Sequence, residues 1–494
     1  MNKKLVITFL ILLFLFSLGI RLYFVSQTPH FNLGDSYFTE RQVTSIIETG
    51  FPTYVDGLSF SGKTQVFMPL FYYILALFNL VIPFWLVGKI IPNIFAASIV
   101  FFSFMLAKRI TRNNIAALLT AFISAFIPIF FIQTLNNISP YSLIMPLMLY
   151  QLYCFIEKKF TCFAILAVLL PLIHFSAVVL PISLVVFVII SKVEHFKVKK
   201  PYAEMIIFSL VLSLWLLLVF YKQAFFFHGL EILSKNMPFS VIGQHFAEVN
   251  LVEAIYLTGI IPFIYGMISL YKFLFKKRFF EGFLMISLVI TPAFLLWMTL
   301  IEVTQGILFL GVFVTILFSS HYNSIKSFIK KSKFSHLKYY KHYFIASSIL
   351  IFVLTSVLPS FFLAGALIET SLSEDEFQAM SWIKTNTEKD AIILAQLEEG
   401  NAIASIAKRK NVIDNNFLLI RNINVRNKEF EKMFSSPYKT ETISLMNKYQ
   451  VSHVYISKRK KVNVFTDKFK SNCFKEVFSN NEVNIFEVKC EIRT

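Results

Sequence analysis

"LGDSYFTERQVTSIIETGFPTYVDGLSFSGK", residues 33–63, is polar, charged and rich in turn formers, yet it lies between two strongly apolar stretches. Ahead of it, Lys3 and Lys4 precede an unbroken apolar run to Tyr23, and behind it the run 67–83 is apolar again. A polar loop of this length between segments suited to hydrocarbon marks a chain that leaves a membrane and returns, so its placement sets the threading of everything after it. No small-x-small cleavage pattern follows Arg21 and Leu22, and the first segment reads as a retained helix rather than a cleaved signal peptide.

Composition agrees with a membrane protein. Hydrophobic residues make up 56% of the 494, aromatics 17%, with 58 Phe, and mean hydropathy is +0.65, far from soluble averages. A hydrocarbon core of about 30 Å takes roughly 20 apolar residues per helix. Stretches near that length fall at 5–23, 88–107, 115–135, 141–156, 205–221, 251–275, 280–300, 303–319 and 343–363. The longer run 160–190 is broken by Pro171 and Pro181 and reads as two short spans meeting near His174.

The run 67–83 is assigned to the outer surface as an interfacial helix. Counting it as a span would put Lys108, Arg109 and Arg112 outside, against the cytoplasmic excess of Lys and Arg. Lys158, Lys159, Lys192, Lys197, Lys199, Lys200, Lys276, Lys277, Arg278, Lys326, Lys330, Lys331, Lys333, Lys338 and Lys341 then fall on one side with Lys3 and Lys4. The sequence thus predicts a mainly α, polytopic helical plasma-membrane protein of about eleven spans, with a cytoplasmic N-terminus. The net charge of +18 sits mostly in loops facing anionic headgroups, so no nucleic-acid partner is expected.

The predicted membrane core covers 1–370, with its first outer loop and surface helix at 26–83, and a small extracytoplasmic α/β domain covers 371–494. In that tail, "SEDEFQAMSWIKTNTEKD" places Phe377, Met380 and Ile383 on one helical face, and "AIILAQ" follows as a strand. A helix at "KTETISLMNKYQ", a strand at "VSHVYIS" and a hairpin through "KEVFSNNEVNIFEV", turning at Asn480 and Asn481, complete it. Cys473 and Cys490 bracket the hairpin, where an oxidising compartment and the right register would bring them into bonding distance. No metal-binding cysteine pattern is present.

Within the first outer loop Asp35 follows Gly34 and opens a helical pattern that ends at Gly50. As an N-cap its carboxylate would accept orphan N–H bonds. A carboxylate at the bilayer surface also suits proton abstraction from an acceptor hydroxyl, or a divalent metal (Mg or Mn) held beside a phosphate. Asp56, before Gly57, reads first as a turn residue. His174, where two short helices meet, is an ionisable group at membrane depth, and Glu302 lies near the outer face. The segment 225–250 carries His228, Glu231, His245 and Glu248 and reads either as a mobile lid or as an interfacial helix.

"GDSYFTERQVTSIIETGFP", "DGLSFSGK" and "MPLFYYILALF" together resemble the first outer loop of the GT-C superfamily of multi-pass glycosyltransferases, which includes oligosaccharyltransferase catalytic subunits, protein mannosyltransferases and lipid A aminoarabinose transferases. The similarity continues through "KRITRNNIAALLTAFISAFIP", "SPYSLIMPLMLY", "LIHFSAVV" and the tail's "WIKTNTEKDAIILAQLEEGNAIASIAKRKNVID". The resemblance implies inverting transfer of a sugar from a polyprenyl-phosphate-linked donor in the membrane lipid to a protein, lipid or glycan acceptor. It makes Asp35 the catalytic carboxylate or metal ligand and puts Lys63 where related loops often carry Arg; either Lys63 or Arg41, on the helix after Asp35, could pair with donor phosphate, and Tyr37, Asp56, His174 and Glu302 stand as candidate cavity-lining residues.

One departure stands out. Related enzymes carry a second acidic motif in the next outer loop, whereas "QTLNNISPY" offers Asn136 and Asn137 and no carboxylate. Two further readings therefore accompany the transferase: a flippase of lipid-linked sugars, which would favour internal repeats or mid-membrane charges, and a catalytically silent scaffold.

Overall fold

The computed structural model describes residues 2–229, 237–245, 250–276, 279–331, 339–459 and 466–491. Lys235, Lys277, Arg278, Lys333 and Lys338, with Glu231 and Glu248 of the expected lid, lie outside them. Among the described residues seven helices are long and apolar enough to cross a membrane: Lys3–Val25, Phe84–Thr111, Phe175–Val193, Lys200–His228, Phe280–Trp297, Val303–Ile329 and His342–Glu369. Two broken pairs qualify only as units, Asn114–Ala125 with Pro128–Thr134, bent by 47°, and Leu251–Thr258 with Ile260–Phe275, bent by 99°. Gly259, at φ +92°, makes the sharper break.

The described residues thus hold seven to nine candidate spans rather than about eleven. The difference lies in Tyr141–Ile156 and Phe160–Ile173, helices of 16 and 14 residues. At a rise of 1.5 Å per residue these reach only about 24 and 21 Å. Lys158, at φ +60°, turns the chain between them, and His174 ends the second in extended conformation. Tyr141–Ile156 stops where Glu157, Lys158 and Lys159 end the apolar run, and Phe160–Ile173 stops at His174.

Ile207, Val211, Leu214, Trp215 and Leu218 of Lys200–His228 stay exposed, an apolar outer face suited to lipid. Leu308, Phe309, Val312, Phe313, Ile316 and Leu317 of Val303–Lys331 are fully buried at the centre of the bundle. Close packing there needs a residue without Cβ. A Cβ on Gly266 would lie 2.4 Å from Val314 Cγ1 and 2.7 Å from its carbonyl oxygen.

Between the first two spans the chain forms helix Asp35–Thr49, a hairpin of β1 (Val55–Asp56) and β2 (Lys63–Thr64), and helix Leu70–Asn79. The last has 10 residues and reaches about 15 Å, half a hydrocarbon core, in keeping with a surface position.

After Glu369 the chain enters helix Glu374–Asn386, closed by a capping box of Ser373 and Glu376. The strands β3 (Ile392–Leu394), β4 (Lys410–Asn411), β5 (Val451–Ser457), β6 (Phe474–Ser479) and β7 (Val483–Val488) form one sheet in the order β4-β3-β5-β7-β6. β3 runs parallel to β4 and β5, and β7 is antiparallel to β5 and β6. The β6–β7 turn is held by Asn480, whose Oδ1 accepts from the amides of Glu482 and Val483. A Cys473–Cys490 disulfide joins the two ends of this hairpin.

The sheet domain is bonded to the first loop. Leu372 N donates to Phe31 O at 3.1 Å, Ser371 Oγ to Asn32 Oδ1 at 2.6 Å and Ser405 Oγ to Glu40 Oε2 at 2.8 Å. Phe60 is buried within the domain's own apolar core. Loop and domain therefore share one side of the helical bundle.

Candidate active site

Gly34, at φ +95°, takes the non-helical conformation that starts helix Asp35–Thr49. The cap position thus belongs to Gly34, one residue earlier than the N-cap expected at Asp35. A residue of positive φ is what the chain needs there, and only glycine adopts it without strain. Asp35 falls instead in the first helical turn, with its side chain exposed, where the helix dipole favours a negative charge.

The rest of that turn is buried. Ser36 Oγ donates to Asn137 Oδ1 at 3.1 Å and accepts from Ile138 N at 3.2 Å, seating the second loop against the helix start. Asn136 donates to His30 O at 3.0 Å and Ser371 Oγ at 2.9 Å. The two amides that stand in place of an acidic motif thus tie the first loop, the second loop and the tail together. Tyr37 is buried near Phe31, with ring centroids 6.4 Å apart.

Tyr72 and Tyr141 are buried, Tyr72 against Phe38 and Phe67 with ring centroids 5.9 and 5.2 Å away. The Tyr141 ring meets His174 edge-on, with centroids 5.1 Å apart. His174 Nδ1 accepts from Ser176 N at 3.3 Å, which leaves the proton of a neutral ring on Nε2. Gln305 Nε2 donates to Glu302 Oε2 at 2.9 Å. Phe175, beside His174, meets Tyr221 edge-on with centroids 6.3 Å apart, so ring contacts bring Tyr141, His174 and Tyr221 together from three parts of the chain.

The other expected site residues form a second, tightly bonded group. Arg41 Nη2 meets Asp56 Oδ1 at 2.6 Å. Asp56 also accepts from Gln65 Nε2 at 2.6 Å, Leu58 N at 2.9 Å and Ser59 N at 3.3 Å, the pattern of a turn aspartate. Burial pushes the Asp56 carboxyl up, but Arg41 and the two amides outweigh it and hold the group below the ordinary aspartate range. Lys63 Nζ sits 3.2 Å from Asp414 Oδ1, donates to Asn416 O and lies 4.5 Å from the Phe60 ring. Burial draws its pKa down, opposed chiefly by Asp414.

Both cations expected to meet phosphate are thus paired with carboxylates. Sequence reading missed Tyr72, Tyr141, Tyr221 and Asp414. The only signal for the tyrosines was their position at the ends of apolar runs, and none marked Asp414, which lies far along the chain.

Among the described residues no three His, Cys, Asp or Glu side chains converge as a metal would require. Mg²⁺ is often held by one or two carboxylates plus substrate phosphate. Asp35 would therefore supply one ligand, the remainder coming from substrate and water.

A helical bundle carrying a helix and hairpin in its first loop, with a small mixed-sheet domain bonded to that loop, is similar in fold to solved structures of an archaeal oligosaccharyltransferase and of ArnT. The oligosaccharyltransferase of Archaeoglobus fulgidus, in its apo form, has this fold with a TM-score of 0.69 at 14% identity, over 92% of this chain and 70% of that one. Its complex with an inhibitory peptide and a dolichol-phosphate gives 0.65 at 14% identity, over 90% and 69%. ArnT from Cupriavidus metallidurans, bound to undecaprenyl phosphate, gives 0.56 at 11% identity, over 96% and 97%. No family profile and no curated protein matches the chain in sequence. Likeness at such identity establishes fold, and function has to be argued from the site.

Proposed function

We propose that this protein transfers a sugar from a polyprenyl-phosphate-linked donor to an acceptor on the extracytoplasmic face of the plasma membrane. The observation that carries the reading is the exposed Asp35 carboxylate in the first turn of its helix, on a fold whose solved neighbours hold dolichol-phosphate and undecaprenyl phosphate. The outer placement is supported by the Cys473–Cys490 bond, which belongs to an oxidising compartment, and by the basic loops read from the sequence.

In the proposed step Asp35 accepts the proton of an acceptor hydroxyl as its oxygen attacks the anomeric carbon. The bond from that carbon to the phosphate oxygen breaks, its electron pair leaves with the lipid phosphate, and configuration inverts. Tyr72 and Tyr141 orient the reacting groups, and His174 positions Tyr141. A divalent cation such as Mg²⁺ or Mn²⁺, where bound at Asp35, would neutralise charge on the departing phosphate. The flippase and silent-scaffold readings are not favoured, since the neighbours are transferases.

The test is complementation. A deletion strain is given wild type or Asp35→Asn at matched membrane levels, and surface glycans and lipid-linked sugars are compared by mass spectrometry. Removal of a general base costs about 10²–10⁴-fold in rate, so the variant should accumulate donor and lack the sugar. Full restoration by Asp35→Asn would overturn the assignment.

A further inference from the structure

A cleft of about 490 Å³ lies away from Asp35, where β2, the end of helix Lys200–His228 and the segment from Leu419 to Arg426 meet. Its walls include Lys63, Gln223, Phe227, Leu419, Arg421 and Arg426, and among the described residues no carboxylate lines it. Since Lys63 is paired with Asp414, the excess positive charge comes from the two arginines.

The walls are held in place before any ligand arrives. Arg426 donates through Nε to Val412 O at 3.0 Å and through Nη2 to Phe60 O at 2.9 Å. Its guanidinium lies 5.0 Å from the Phe60 ring and 5.2 Å from that of Tyr449. His228 Nε2 meets Leu418 O at 2.5 Å, joining the helix end to the opposite wall. Arg421 is exposed at the rim. A fixed cation, a second at the rim, an amide in Gln223 and apolar faces from Phe227 and Leu419 suit a ligand that is anionic at one end and ring-shaped at the other.

We infer that this cleft binds an anionic carbohydrate unit, a sugar bearing phosphate or carboxylate, as part of the glycan being transferred or received. That the ligand is a sugar rests on the transferase reading; that it is an anion rests on the cleft alone.

The test uses the full-length protein in phosphatidylcholine nanodiscs, titrated calorimetrically with glucose 1-phosphate, glucuronate, glucose and inorganic phosphate. Wild type should bind the two charged sugars more tightly than glucose or phosphate. Arg421→Glu, at an exposed position that leaves the fold intact, should weaken both by roughly tenfold or more, whereas Asp35→Asn should bind them as wild type does. Equal binding by Arg421→Glu and wild type, or equal binding of glucose, would overturn the anion site without touching the Asp35 reading. Phosphate binding as tight as glucose 1-phosphate, together with weaker binding in a second set of discs containing phosphatidylglycerol, would assign the cleft to a lipid headgroup and overturn the carbohydrate.

Discussion

Asp414→Asn should loosen the junction between the first loop and the sheet domain. Asp414 is wholly buried and its partner Lys63 is 3% exposed. Asp414 accepts from Lys63 Nζ and Ser59 Oγ, from Asn411 Nδ2 at 3.3 Å and from Asn416 N at 2.9 Å. Asparagine keeps the shape but removes the charge, leaving Lys63 with a backbone carbonyl and the Phe60 ring. Breaking one partner of a buried pair costs about 3–5 kcal/mol. A ceiling follows independently, because keeping a lysine of ordinary pKa 10.5 neutral at pH 7 costs about 4.8 kcal/mol, a 3.5-unit gap at about 1.36 kcal/mol per unit. Burial already draws the Lys63 pKa down in the wild type, so the added cost falls below that ceiling, at about 3 kcal/mol.

The readout is hydrogen exchange by mass spectrometry on peptides covering 55–64 and 408–417. Phe60 N donates to Asn411 Oδ1 at 2.8 Å and Asn411 N to Leu58 O at 2.9 Å, so both amides report the junction. A loss of about 3 kcal/mol raises exchange through local opening on the order of a hundredfold. The double variant Lys63→Met, Asp414→Leu should recover most of the protection, since apolar replacement of a buried pair is often close to neutral. Unchanged exchange in Asp414→Asn, or no recovery in the double variant, would refute the account of a desolvated pair.

Two further outcomes follow from the same loop. Because its carboxyl lies below the ordinary value of 3.8, Asp56 stabilises the protein above that pH and loses its contribution as pH falls through the lower folded value. The gap in melting temperature between wild type and Asp56→Asn in detergent should therefore be widest near neutrality and narrow in acid below about pH 4; a constant gap would contradict it. Gly34→Ala meets only Asn415 Nδ2, at 3.7 Å, so its penalty is the strain of φ +95°, about 1–3 kcal/mol. It should lower stability by that amount and reduce transfer by displacing Asp35, and a variant with wild-type melting and transfer would show that the turn tolerates a side chain.

Much of the architecture was readable because it depends on local chemistry. The long apolar runs and several of the tail's elements appear where hydrophobic length and periodicity put them, as at Glu374–Asn386 and Val451–Ser457, whereas helix Ile423–Ser435 and β4 had no counterpart in the linear reading. The capping box at Ser373 and the Asn480 turn are short-range devices that a linear reading can see. The span count was not readable in the same way, because Tyr141–Ile156 and Phe160–Ile173 are apolar but only 16 and 14 residues long.

By itself the sequence determined that this chain is a helical membrane protein with an acidic first loop and a mixed α/β tail, because burial in hydrocarbon imposes length and polarity on each segment separately. Only the tertiary structure decided which polar groups meet. It joined Arg41 to Asp56 and Lys63 to a carboxylate in the tail, and brought Tyr141 against His174. Those pairings arise from desolvation: each charge removed from water has to find its partner wherever the folded chain brings one within reach, and nothing in local spacing records that distance.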